Sequence, residues 1–262
     1  LSAAVGRRVL SVRRLGKRIV FELDAGMFLV IHLMIAGRLK WLEAKAKIPG
    51  KLGLAAFDFA TGTLLLTEAA TKKRASIHLA RSLDEFQRSG IEPLEATPQE
   101  FEAALRSENH TLKRALTDPR LFSGIGNAYS DEILHRAKLS PAQLTQKLPA
   151  DDARRLYEAT RAVLIEWTDR LRAEAKGKFP EKVTAFRKEM AVHGKYKEPC
   201  PVCGTLVQRI AYADNETNYC PRCQTSGKLL SDRSLARLLH DDWPRTIEEL
   251  EERFPGRGKE QK

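Results

Sequence analysis

Cysteine is scarce in this 262-residue chain: there are four, and residues 1–199 contain none. A fold held by a framework of disulfides is therefore excluded. Long apolar runs are also missing. No stretch approaches the eighteen residues of a membrane span, and nothing after Leu1 follows a signal-peptide pattern, so no membrane partner is expected. Acidic residues are under-represented, with 34 Asp and Glu against 45 Lys and Arg, a formal net charge of +11 and a pI of about 9.6. That balance favours a polyanionic partner, most simply nucleic acid. The excess is uneven: residues 1–88 hold sixteen Lys or Arg and seven Asp or Glu. A phosphate-facing surface fits that concentration, as does a merely soluble basic one. What is plentiful is apolar material, 42% of residues, enough for two modest domains and a small appendage. No internal repeat is present.

The four cysteines form two Cys-x-x-Cys pairs, Cys200/Cys203 and Cys220/Cys223, separated by sixteen residues. Each pair turns the chain tightly enough to aim two sulfurs at one ion, and the interval accommodates a β-hairpin. The pattern reads as one structural zinc held by four thiolates, with no position left open for a catalytic water. Two redox pairs or disulfides are the other reading of the same spacing. Clustered thiols with none left over fit a reducing compartment.

Short segments rich in Val, Ile, Leu and Phe fill the first part of the chain. Strands are predicted at Arg8–Arg14, Lys17–Leu23, Met27–Leu33, Gly37–Leu42, Leu52–Phe59, Thr63–Thr67 and Arg74–Ala80, divided by Gly and Pro turns. Their number and spacing argue for a sandwich or barrel. After a linker at residues 89–96 the period becomes helical. Thr97-Pro98-Gln99-Glu100 is a capping box with proline at the first helical position. Further helices are predicted at Asn109–Leu116, from Gly124-Ile125-Gly126-Asn127 to Lys138, from Ser140-Pro141, and at Asp151–Glu174. In the last of these Leu156, Ala159, Val163, Trp167 and Leu171 recur at core spacing. Gly177–Gly194 is basic and irregular, either a loop over a partner or a surface connection. Two short helices are predicted beyond the zinc hairpin, at Ser231–Asp242 and Thr246–Phe254, before a frayed tail at Gly256–Lys262.

The Gly124-Ile125-Gly126-Asn127 turn opens a helix whose first N–H groups suit an anion such as a phosphate; a simple N-cap would look the same. Its place before a long helix and a four-cysteine hairpin gives it meaning. Together with Arg14-Leu15-Gly16-Lys17-Arg18-Ile19-Val20, His32-Leu33, Gly90-Ile91-Glu92-Pro93-Leu94 and Val192-His193-Gly194-Lys195, it resembles the formamidopyrimidine-DNA glycosylase and endonuclease VIII family. The resemblance runs to about Gln224.

It implies an α+β protein: an antiparallel β-sandwich over residues 1–88, a helix–two-turn–helix domain over 97–195, a zinc finger over 196–226 and a helical extension over 227–262. It further implies an enzyme that removes oxidised bases from duplex DNA and cleaves the abasic site through a Schiff base. The partner is double-stranded DNA with damaged or abasic sites, the protein a monomer, and the setting a reducing intracellular compartment such as bacterial cytoplasm around the nucleoid. By the same resemblance Lys17 and Glu132 are assigned to the catalytic side, and Lys113, Asn127, Lys195 and Arg74 to DNA.

Four departures accompany the resemblance. The family's nucleophile is an N-terminal proline amine, whereas this sequence starts Leu1-Ser2-Ala3-Ala4, as expected of a chain whose first segment has been lost. Asn215 stands where the finger usually has an arginine, leaving Arg209 and Arg222 nearby. Glu68–Arg74 replaces the family's loop that plugs the gap left by a flipped base, and Ile35 a wedge methionine. A binding module of the same fold that recognises distorted DNA without cutting it is the alternative, and an RNA-associated zinc-ribbon protein a more distant one.

Overall fold

The computed structural model describes residues 1–180, 183–212, 215–231 and 244–253. The chain forms two compact units, Leu1–Arg88 with Arg170–Val183, and Ser89–Asp169 with Thr184–Lys262.

All seven predicted strands form in the first unit, with ends shifted by at most two residues: β1 Val9–Leu15, β2 Arg18–Leu23, β3 Met27–His32, β4 Gly37–Leu42, β5 Gly53–Phe59, β6 Gly62–Glu68 and β7 Ser76–Ala80. They make two antiparallel sheets, ordered β1-β2-β3-β7 and β4-β6-β5. The period of two decides which side chains meet. Leu29 and Ile31 point into the space between the sheets with Leu23, Met27 and Leu66, while Val20 and Val30 pack on the opposite face against Leu83 and Phe86. Strand β6 is buried at every position, as an unbroken Leu64-Leu65-Leu66 run in a central strand should be. At the outer edge, β1 places Arg13 and Arg14 in solvent, charges that discourage pairing with another chain.

In the second unit the capping box is real. The Thr97 hydroxyl accepts from the Glu100 N–H, and the Glu100 carboxylate accepts from the Thr97 N–H, at the start of α1, Pro98–Arg106. Helix α2 spans Leu112–Thr117, later than predicted. Its cap is Thr111, because the preceding His110 backbone is engaged with Thr145 through both its N–H and its carbonyl. No helix starts at Ser140-Pro141. The carbonyls of Pro141 and Gln143 instead accept the first N–H groups of α2, from Lys113 and Leu112, and a short 3-10 turn follows at Thr145–Lys147.

Helix α3 covers Asn127–Arg136 and α4 covers Ala150–Ala175. Leu156, Ala159, Val163 and Trp167 of α4 join a core with Phe101, Phe122, Ile125 and Leu134, but Leu171 is 40% exposed and does not belong to it. The finger consists of β8 Gln208–Ala211, β9 Glu216–Tyr219 and α5 Pro221–Thr225. Helix α6 spans Ile247–Arg253, close to the predicted segment. Nearly all of the helix predicted at Ser231–Asp242, and the tail at Gly256–Lys262, lie outside the described residues.

Candidate nucleic-acid interface and zinc centre

The two Cys-x-x-Cys turns bring four sulfurs within 4.8 Å of one another. Cys203 Sγ lies 3.4 Å from Cys220 Sγ and 3.5 Å from Cys223 Sγ, and Cys200 Sγ lies 3.9 Å from Cys223 Sγ. Four sulfurs placed about 2.3 Å from one zinc in a tetrahedron would be about 3.8 Å apart, so the set fits that ion. Gly204 lets the first turn close: its φ of +74° is left-handed, and its N–H donates to the Cys200 carbonyl. Burial pushes the Cys223 thiol up to about 11 and also raises Cys220. At Cys203 burial opposes ionisation, but the Thr205 hydroxyl and N–H and the neighbouring thiols outweigh it and bring the group down to about 6. Such a crowd resists carrying several negative charges until a cation joins it. His135, on α3, sets its Nε2 3.3 Å from Cys200 Sγ, a neighbour of the kind that orients a metal ligand.

The remaining family positions of the second unit converge on α3. Asn127 opens the helix, and its side-chain amide donates to the Glu216 carbonyl of β9 at 2.9 Å. The Glu216 carboxylate receives Arg209 at 3.1 Å and the Asn218 amide at 3.1 Å, and the Arg209 guanidinium lies 4.4 Å from the Tyr196 ring centroid. Lys195 reaches Glu198 at 3.0 Å and helps line an open cavity of about 170 Å³ with Phe186, Arg187, Lys188, His193 and Gly194.

Lys113, expected at phosphates, faces inward. Its ammonium donates to the Asn127 carbonyl at 2.8 Å, to Ser130 Oγ at 2.8 Å and to Asp131 Oδ1 at 2.6 Å, using all three N–H bonds on protein. Burial lowers its pKa even though Asp131 pulls the other way. Glu132 is buried as well. Its carboxylate accepts from the N–H groups of Ala191, Val192 and His193 at 2.8, 2.9 and 2.9 Å. Asp131 and His193, which meet at 2.8 Å, and the contact between His135 and Cys200 were not legible. Each pair is more than sixty residues apart, and spacing in a single sequence carries no signal for such contacts.

In the first unit Lys17 follows Gly16 in the turn between β1 and β2; its side chain is exposed, and partial desolvation by the surrounding protein lowers its pKa. His32 is lowered too, by burial first and then by the nearby charges of Arg18 and Lys17. Arg74 is exposed in the loop between β6 and β7. That loop is closed by Glu68, whose buried carboxylate accepts from the Arg74 and Ala75 N–H groups at 2.9 and 3.1 Å, while its carbonyl accepts from Lys73 Nζ.

The chain matches known protein families over most of its length. The family model for the formamidopyrimidine-DNA glycosylase N-terminal domain covers residues 1–125, that for the H2TH domain of the same enzyme 90–171, and that for the zinc finger found in FPG and IleRS 197–225. The formamidopyrimidine-DNA glycosylase of Thermus thermophilus is 36% identical over 234 residues, which span 86% of this chain and 85% of that protein. The crystal structure of the MutM (Fpg) protein from the same organism superimposes with a TM-score of 0.70 at 34% identity, over 85% of each chain. The Lactococcus lactis Fpg (MutM) complex with a FAPY-dG containing DNA gives a TM-score of 0.74 at 26% identity, over 86% of this chain and 84% of that one. The cysteine cluster is accordingly the seat of one structural zinc, and the chain belongs to the formamidopyrimidine-DNA glycosylase family.

Proposed function

We propose that this DNA glycosylase of base-excision repair grips the phosphate backbone of a damaged duplex with the N-terminal turn of α3, at Asn127, and with Lys195 and Arg74. The observation that carries the reading is the bond from Asn127 to Glu216, which makes the helix–turn element and the zinc finger one platform. Helix N–H groups and mobile cations then meet phosphates without reading bases. Lys113 serves the grip from inside by holding the Asn127 carbonyl. Relatives from Lactococcus lactis have been crystallised with FAPY-dG containing DNA and with abasic-site DNA, which supports duplexes carrying those lesions as the partner. The target sugar is out of reach inside a stacked duplex, so the base must be extruded first.

In the chemistry proposed, the family's N-terminal proline amine, which the sequence from Leu1 does not include, adds at the sugar C1′ as the base departs, and the resulting iminium acidifies the neighbouring C2′ proton so that the 3′ phosphate can be eliminated. Lys17 is assigned to this second half. Its lowered pKa gives it more free amine near neutrality than an ordinary lysine. Glu132 supports the site by fixing residues 191–193. The protein is assigned as a monomer working in a reducing compartment.

Borohydride trapping on an abasic duplex tests the reading. The chain starting at Leu1 should bind abasic DNA without forming an adduct; with a Pro-Glu start placed ahead of it, a covalent protein–DNA adduct and nicking that matched RNA duplexes do not inhibit are expected. Tight binding by the extended protein with neither adduct nor nick would favour the binding module, and preference for RNA would sink both.

A further inference from the structure

We propose that Asp131 is a positioning residue that sets the stance of the Lys195-bearing segment against the first turn of α3; this rests on the DNA grip assigned above to Asn127 and Lys195. Asp131 is fully buried, and its two oxygens hold different elements. Oδ1 takes the Lys113 ammonium at 2.6 Å, and Lys113 in turn holds the carbonyl of Asn127. Oδ2 lies 2.8 Å from Nδ1 of His193, whose ring stacks on Phe186 with centroids 5.6 Å apart and planes 18° apart. One carboxylate thus connects Asn127, through Lys113, with the segment around His193 and Lys195.

The neighbouring acid shows why this is more than a means of holding the fold. Glu132 already pins the backbone of residues 191–193 with three hydrogen bonds. What Asp131 adds is the direction of the His193 ring and of everything stacked on it. Gly194 fits the same purpose: with φ at +71°, a Cβ there would lie 2.9 Å from the Phe186 ring. A buried ion pair is a poor source of stability, because desolvation offsets its attraction, but it fixes register between the elements it joins.

The test is Asp131→Asn in the whole chain. The amide keeps the shape but can accept at only one atom, so it loses the charge that pairs Lys113 and either gives up that ammonium or turns an N–H toward His193, removing the bond to the Nδ1–H tautomer. Zinc content should be unchanged, and affinity for abasic and undamaged duplex alike should fall about tenfold, the effect of one charge-assisted hydrogen bond. Trypsin should cut after Arg187 or Lys188 about tenfold faster, since local opening governs cleavage. His193→Phe should behave alike, and the double variant should add nothing further. Additive effects, unchanged trypsin protection, or duplex affinity within about twofold of the parent would overturn the proposal. If instead Lys195→Ala and Asn127→Ala leave duplex binding intact, it is the DNA grip that fails, and the trypsin result still decides the role of Asp131.

Discussion

The side-chain amide of Asn127 donates to the Glu216 carbonyl across 2.9 Å, so the first residue of α3 is bonded to the second strand of the zinc hairpin. The hairpin has only four residues per strand, too few to hold a shape alone. Its geometry is set by the metal at one end and by α3 at the other. Disturbing the metal therefore reaches the first turn of α3, the element assigned above to the DNA grip.

Cys220→Ser is expected to release zinc and weaken duplex binding while the β-sandwich stays folded. Binding to isolated finger peptides is worth about 10–16 kcal/mol, so loss of one ligand removes much of the hairpin's support. Elemental analysis and circular dichroism check this. Protein purified without chelator and found free of zinc would refute the assignment.

The inward turn of Lys113 separates two kinds of cation. Lys195→Ala and Arg74→Ala should weaken binding to all duplex sequences alike and each reduce the salt slope by roughly one. Lys113→Ala should also weaken binding, by releasing Asn127, but leave the slope unchanged, since its charge is already paired with Asp131. Fluorescence anisotropy over a salt titration distinguishes them. A slope that drops for Lys113→Ala would place that ammonium on a phosphate after all.

Lys17→Arg keeps a cation but cannot supply a free amine. In a protein carrying the family's Pro-Glu start, nicking of an abasic duplex should fall by about 10²-fold, the usual scale for losing a general base, with binding nearly unchanged. Partial desolvation lowers the Lys17 pKa, so the amine loses its proton at a lower pH than an ordinary lysine. Nicking by the extended protein with Lys17 intact should rise with pH and level off below about 10.4. The variant should lack that limb; identical pH profiles would remove Lys17 from the chemistry.

Glu132→Ala leaves three N–H groups without acceptors, two of them on buried residues. A loss of about 2–4 kcal/mol in unfolding free energy is expected. Glu132→Gln retains one carboxyl-like oxygen and should lose less. Denaturant unfolding gives the magnitude, and faster amide exchange at residues 191–193 gives the location. Unchanged exchange there would show that the segment is held by other contacts.

How far the sequence could be read follows from the range of each interaction. The seven strands were legible because alternation and Gly or Pro turns act over a few residues. So was the Thr97 capping box, closed within one helical turn, and the metal site, where two local turns carry the geometry. Helix α2 was misplaced because Thr145, thirty-five residues from His110, engages the backbone just before it. The inward aim of Lys113 depends on Asp131, eighteen residues away on the next helix. A residue type and a matching motif assigned that lysine to DNA, but only packing reveals which way its ammonium points.

The Glu68 clasp has a consequence for how such a protein can change. One buried carboxylate anchors the far end of the loop between β6 and β7, and the loop's other end is Glu68 itself, seated in a central strand. Residues 69–73 can therefore be exchanged, lengthened or shortened like an insert in a socket, with little strain passed to the sheets. A lineage could revise this loop while leaving its scaffold untouched, which makes Glu68 the fixed point around which its variants are tried.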